Sequence, residues 1–148
     1  MNEQLPALPV TFRPNRTRAV LLTLGVAVFA AVSTVGLLVP RLSTGEKISF
    51  VFTGALLCGV LVLLSRPKVV ADDRGVTVVN LTTARRLEWA EIVQVNLRSG
   101  DPWVYLDLSD GTSLPAMGIQ PGIAREKALR DARALAALVD ERGTGTGG

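Results

Sequence analysis

Histidine is absent from this chain and cysteine occurs once. Those two shortages remove the usual general base, the commonest metal ligand, and any disulfide or cysteine-built metal site within one copy. Aromatic residues make up only 5% of the sequence, with two tryptophans and one tyrosine, so the position of each of those three carries weight. Charge is missing from two long stretches. Residues 19–39, AVLLTLGVAVFAAVSTVGLLV, and residues 48–64, ISFVFTGALLCGVLVLL, contain no Asp, Glu, Lys or Arg. The lone Cys58 lies inside the second.

As helices these stretches would be rods of about 31 and 25 Å, against a hydrocarbon layer of about 30 Å. Arg66 and Lys68 follow the shorter run and can reach back to the headgroups. The pattern predicts a two-helix transmembrane hairpin over residues 19–64, behind an N-terminal arm of residues 1–18. A small domain over residues 66–142 and a flexible tail over 143–148 complete the organisation. A soluble helical core is a rival reading, but such a helix shows polar residues at the helical period. Here Thr23, Ser33, Thr34, Ser49 and Thr53 are the polar positions, and their hydroxyls can bond back to their own helix. A cleaved signal peptide is the second rival, prompted by Arg13, Arg16 and Arg18. Signal cores run roughly 7–15 residues, shorter than this run, and a second apolar run follows at once.

The net charge of +3 and pI near 9.6 do not point to nucleic acid. Residues 1–47 hold five cations and two anions, whereas residues 48–148 hold eleven of each. The excess therefore sits beside the first apolar run, and the later domain has no net positive field to gather phosphates. Three cations precede the first run, and Arg66, Lys68 and Arg74 follow the second. The connecting PRLSTGEK has two, Arg41 and Lys47. That bias predicts a multi-pass cell-membrane protein with both termini, and the domain, in the cytoplasm. Pairs of small residues, Ala27 with Ala31 and Ala55 with Gly59, are candidates for close helix approach.

After Pro67 the pattern changes to alternation, the signature of strands. KVVA reads as a first strand ended by Asp72-Asp73-Arg74-Gly75, with Gly75 placed for a positive φ. GVTVVNL, ARRLEW, VQVNL, WVYLDLS and TSLPAM follow. Leu87 and Trp89 share an inner face. In VQVNL, Val93, Val95 and Leu97 are expected inward, and in WVYLDLS, Val104, Leu106 and Leu108. Asp110-Gly111 is a strong hairpin signal, and Pro115 places its strand at an edge or an end. From about residue 123 the period turns helical, with Leu129, Ala132, Leu135, Ala136 and Val139 on one stripe. Gly143 is the expected stop.

The residues RPKVVADDRGVTVVNLTTARRLEWAEIVQV and LDLSDGTSLPAM resemble the bacterial pleckstrin-homology-like (PH-like) membrane proteins of high-GC bacteria. The likeness lies in a Gly-bearing turn after the first strand, the Trp89-x-x-Ile92 step and the Asp110-Gly111 hairpin, and it extends over roughly residues 8 to 141. The resemblance implies a small all-β PH-like barrel, or split sandwich, of six to seven antiparallel strands, capped by a C-terminal helix. Phosphoinositide-binding relatives outside bacteria carry a basic cluster in their first strand-to-strand loop. The Asp72-Asp73-Arg74 turn, taken as that loop, offers none.

No catalytic residue, cofactor or metal site is expected. Asp72 with Asp73, and Asp107 with Asp110, read as turn formers. With no charged residue inside either apolar run there is no basis for an ion path. Four residues stand out as a possible interaction surface: Trp103 and Tyr105, expected on the outer face of their strand unless the loop, the arm or the helix covers them, and the basic pair Arg85 and Arg86, whose plainer reading is a solvated bend partly paired with Glu88. The expectation is a non-catalytic, membrane-anchored interaction module. Its partners would be the lipid bilayer and another membrane or peripheral protein, or a second copy, with no nucleic acid. Binding of a lipid or small molecule at the membrane interface is the alternative.

Overall fold

Both uncharged runs are helices in the computed structural model, which describes residues 5–145. They are α1, Asn15–Leu38, and α2, Thr44–Leu64. Ser43 caps α2: its hydroxyl accepts the Glu46 N–H at 3.2 Å, and the Glu46 carboxylate accepts the Ser43 N–H at 2.7 Å. This reciprocal box satisfies two donors that a helix start leaves open. The helices run antiparallel, with Gly25 opposite Cys58 and Leu61, and Gly36 opposite Phe50. Gly25, Ser33, Gly36 and Gly54 are buried along the seam. The alanine and glycine pairs expected there, Ala27 with Ala31 and Ala55 with Gly59, are exposed instead. The seam is set by two phenyl groups that need room: Phe50 lies against Gly36 and Phe29 against Gly54.

The alternating segments fold as β2 (Lys68–Ala71), β3 (Gly75–Val79), β4 (Ala84–Glu88), β5 (Ile92–Asn96), β6 (Val104–Leu108) and β7 (Ser113–Ala116). A further strand, β1, is made by Val10–Phe12. The N-terminal arm, expected to be loose, thus pairs antiparallel with β2 through Val10 opposite Ala71 and Phe12 opposite Val69. Phe12 sits in the core at 4% exposure. The helical hairpin is therefore inserted between the first two strands. Residues 15–66 form one unit, and the strands with the C-terminal helix form the other.

The strands make two antiparallel sheets, ordered β1-β2-β3-β4 and β5-β6-β7. They do not form a closed barrel; of the barrel or split sandwich that the resemblance implies, two separate sheets answer to the second. A single 3-10 turn, Trp89–Glu91, interrupts the chain between β4 and β5. It is held by the Glu91 carboxylate, which accepts the Glu88 N–H at 2.7 Å, and it passes the chain from one sheet to the other. Val69, Val76, Val78, Leu87, Val104 and Leu106 are essentially inaccessible, so the inner faces of both sheets meet in one core. Trp89 joins it at 4% exposure, and its indole N–H donates to the Asp72 carbonyl at 3.0 Å.

The inner positions of β6 are as the alternation predicts, and in the β5 segment Val95 and Leu97 pack against the core as expected, but Val93 does not. A bulge between Ile92 and Gln94 turns Ile92 inward at 4% exposure and Val93 outward at 62%. One extra residue shifts the period of two by one place. Gly75 has no positive φ. It is required by close approach, because a Cβ there would lie 2.0 Å from the Leu87 carbonyl oxygen. Gly111, in the β6–β7 turn, does have a φ of 87°.

The C-terminal helix α3, Arg125–Gly145, packs against β5 and the 3-10 turn through Ala128, Leu135, Leu138 and Val139. It continues past Gly143, the expected stop. One glycine costs about 1 kcal/mol relative to alanine, and Gly143 does not take the left-handed conformation that ends a helix. The last three positions of the expected tail lie outside the described residues.

Candidate functional site

The β2–β3 turn is organised by Asp72. Its Oδ1 accepts the N–H groups of Arg74 and Gly75 at 2.9 and 3.0 Å, the side-chain turn that Asp favours. Arg86, on β4, donates to both carboxylate oxygens at 2.9 and 2.8 Å and also to the Thr77 hydroxyl at 2.9 Å. Thr77 and Arg86 are opposed in the β3–β4 ladder, so the register itself delivers the guanidinium to the turn. Those charged hydrogen bonds hold the Asp72 carboxyl down at about 2. Across the same turn Asp73 meets Arg142 of α3 at 3.4 Å.

The other carboxylates singled out from the sequence are also committed to local structure. Asp107, on β6, accepts from the Asn96 amide and from the Ser113 hydroxyl, one on each neighbouring strand. Asp110 accepts from the Thr112 hydroxyl and N–H at 2.6 and 2.9 Å. The hydroxyl bond is the main reason its carboxyl lies below the ordinary range. Among the described residues there is no group of three or more Cys, Asp or Glu placed to hold a metal ion.

The four candidate surface residues do not form one patch. Arg85 and Arg86 are neighbours on β4, an edge strand, and they project from opposite faces. Arg86 is held by Asp72 and Thr77, whereas Arg85 is exposed and close enough to Asp110 to favour its ionised form. Trp103 and Tyr105 belong to the outer face of the other sheet, and both are half-buried. The Trp103 indole N–H is shielded from solvent and finds no acceptor among the described residues.

Two polar residues, Asn80 and Lys127, organise this unit through contacts distant in sequence that were not expected, although the local Lys127–Asp131 pair on α3 was. Asn80, just past β3 and 6% exposed, donates its amide to the Pro115 carbonyl at 2.8 Å and accepts the Met117 N–H at 3.0 Å. It fastens one sheet to the edge strand of the other. Lys127 donates to Asp131 at 2.7 Å and to the Arg13 carbonyl at 2.6 Å, tying α3 to the backbone just beyond β1. The signal for Asn80 was an amide closing an otherwise apolar strand. The Arg13 contact spans 114 positions and had no local signal.

The family model of the bacterial PH domain matches residues 66–137. Uncharacterised proteins of Mycobacterium bovis and Mycobacterium tuberculosis are 31% identical over 77 residues, 52% of this chain and 50% of theirs. The chain thus spans about half the length of the curated relatives it matches. No solved structure matches it. It is residues 66–137, which hold β2 to β7 and the first part of α3, that match the bacterial PH domain family.

Proposed function

We propose that this protein is a non-catalytic, membrane-anchored interaction module, in which a PH-like domain is held at the bilayer to meet a membrane protein, a peripheral protein or a second copy. The observation that carries this reading is the position of the hairpin, between β1 and β2. Only residues 13–14 separate β1 from α1, and only residues 65–67 separate α2 from β2. Both helices are long and apolar enough to cross a membrane. Only 17% and 6% of their most apolar windows is buried, unlike the core helices of a soluble fold. A domain tethered by two such short links meets its partners at high effective concentration, without strong intrinsic affinity. The commitment of Asp72, Asp107 and Asp110 to turns and ladders supports a non-catalytic role, because a general acid or base needs a free, tuned group.

The test uses the full chain in bacterial cells. Carbonate-washed membranes should retain it, and a photo-crosslinking residue at Tyr105 should give a discrete adduct with a membrane or peripheral protein, or with itself. Recovery of intact chain in the detergent-free supernatant would overturn the anchoring. Reproducible turnover of a substrate by the purified chain would overturn the non-catalytic assignment.

A further inference from the structure

At the end of the domain where the β5–β6 loop meets the start of α3 there is a cleft of about 400 Å³, within the range of small-molecule sites, about 300–1,000 Å³. Its apolar lining comes from Leu97, Pro102, Pro121 and Leu129, and its cations are Arg98 and Arg125. All of these residues belong to the sheet-and-helix unit. Neither guanidinium is held in an ion pair with another described residue. The one carboxylate in the lining, Asp101, is turned into its own loop, where it accepts the Arg98 N–H at 2.8 Å. Arg125 is the first residue of α3, where the positive end of the helix dipole disfavours a cation; an anion placed there offsets that cost. Beside it Ile123 is 60% exposed.

We propose that this cleft binds a phosphate monoester carried on an apolar body, with Arg98 and Arg125 taking the doubly charged phosphate and Leu97 and Leu129 the apolar part. The planar fork of arginine suits phosphate oxygens. The apolar floor distinguishes such a ligand from inorganic phosphate. The source is either a soluble phosphorylated amphiphile or the headgroup region of an anionic lipid. This inference is independent of the scaffold reading, because the cleft would fill whether or not the helices span a bilayer.

The experiment uses the full chain in phosphatidylcholine nanodiscs. The soluble probe is dihexanoyl phosphatidic acid, a monoester, with dihexanoyl phosphatidylcholine, a phosphodiester of zero net charge, as its neutral-headed comparison. In a second arm the nanodiscs contain long-chain phosphatidic acid, and occupancy is read by native mass spectrometry. Saturable binding of the soluble probe, weakened about tenfold or more by Arg98→Gln or Arg125→Gln, assigns a soluble ligand; that is the scale of one charge-assisted hydrogen bond. Retention of long-chain phosphatidic acid alone, lost in the same variants, assigns a lipid headgroup. Absence of binding in both arms, equal binding of the neutral-headed comparison, or binding that neither substitution changes would overturn the proposal. Both arginines are exposed, so the variants should keep the parent's tryptophan fluorescence.

Discussion

Replacing Asn80 by alanine should loosen the two sheets from each other. The side chain makes two hydrogen bonds, to the Pro115 carbonyl and from the Met117 N–H, at a site only 6% exposed. Each bond contributes about 1 kcal/mol net, and each backbone group left buried without a partner costs about 1–3 kcal/mol. Water entering the vacated space relieves part of this, so the expected loss is about 2–4 kcal/mol. For a domain of this size that is a fall in Tm of roughly 10–30 °C. Tryptophan fluorescence of the full chain in detergent micelles reads it directly, because Trp89 and Trp103 are the only tryptophans and both lie among the strands. Asn80→Asp sharpens the test. The carboxylate still accepts from Met117 but faces the Pro115 carbonyl with an oxygen, so at neutral pH it should be as damaging as alanine. Protonation restores a donor, so the deficit should shrink as pH falls. An alanine variant melting within about 2 °C of the parent would refute the assignment of Asn80 as the latch between sheets.

Gly36→Ala places a Cβ 2.3 Å from that of Phe50, whereas a Cβ on Gly59 meets nothing within 4 Å. Maleimide labelling of Cys58, the only thiol, should accelerate severalfold in the first variant and stay unchanged in Gly59→Ala. The Asp72–Arg86 pair should add a pH dependence of defined sign. The Asp72 carboxyl is lowered to about 2, below its unfolded value of about 3.9. Its contribution is therefore complete above that unfolded value and is lost as pH falls toward 2. Thermal melts between pH 5 and 2 should show a shallower slope for Asp72→Asn than for the parent. Because Phe12 and Val69 are paired neighbours, replacing residues 14–67 by a short Gly/Asn turn should leave a folded, water-soluble domain; aggregation of that variant would contradict the division into two units.

Periodicity carried far in this sequence. The two helices, six of the strands and α3 were readable because each has a long or clean pattern, and the inner faces of β4 and β6 follow from it. Apart from the helix stop expected at Gly143, the misreadings share a cause: each depends on a contact distant in sequence. The arm contributes only three residues to β1, too few for a pattern to register, and it becomes a strand because β2 offers it a free edge. The β5 bulge reverses Val93 because the strand must leave a 3-10 turn and still meet Leu108. Gly75 looked like a turn glycine, yet it is needed because β3 and β4 approach too closely for a side chain. The surface residues fared similarly. Arg85 and Arg86 looked like a doublet, and only the β3–β4 register reveals that one of them is committed to Asp72.

The insertion point of the hairpin connects the fold to its proposed role. In phosphoinositide-binding domains of the resembling class, the first strand-to-strand loop holds the basic cluster that grips a headgroup. The Asp72–Gly75 turn is the second such connection in this chain; the first, between β1 and β2, is the helical hairpin itself. A loop site holds a membrane by a few reversible ionic contacts, weakened by salt. If the two apolar helices in the same place span a bilayer, as proposed, attachment becomes a covalent property of the chain, closer to permanent insertion than to any peripheral anchor. On the anchored reading, surface binding at that loop becomes redundant, and the remaining surfaces of the domain are released for other ligands. The cleft between Arg98 and Arg125 fits that division of labour, because it is built by the β5–β6 loop and the start of α3, elements remote in sequence from the β1–β2 connection.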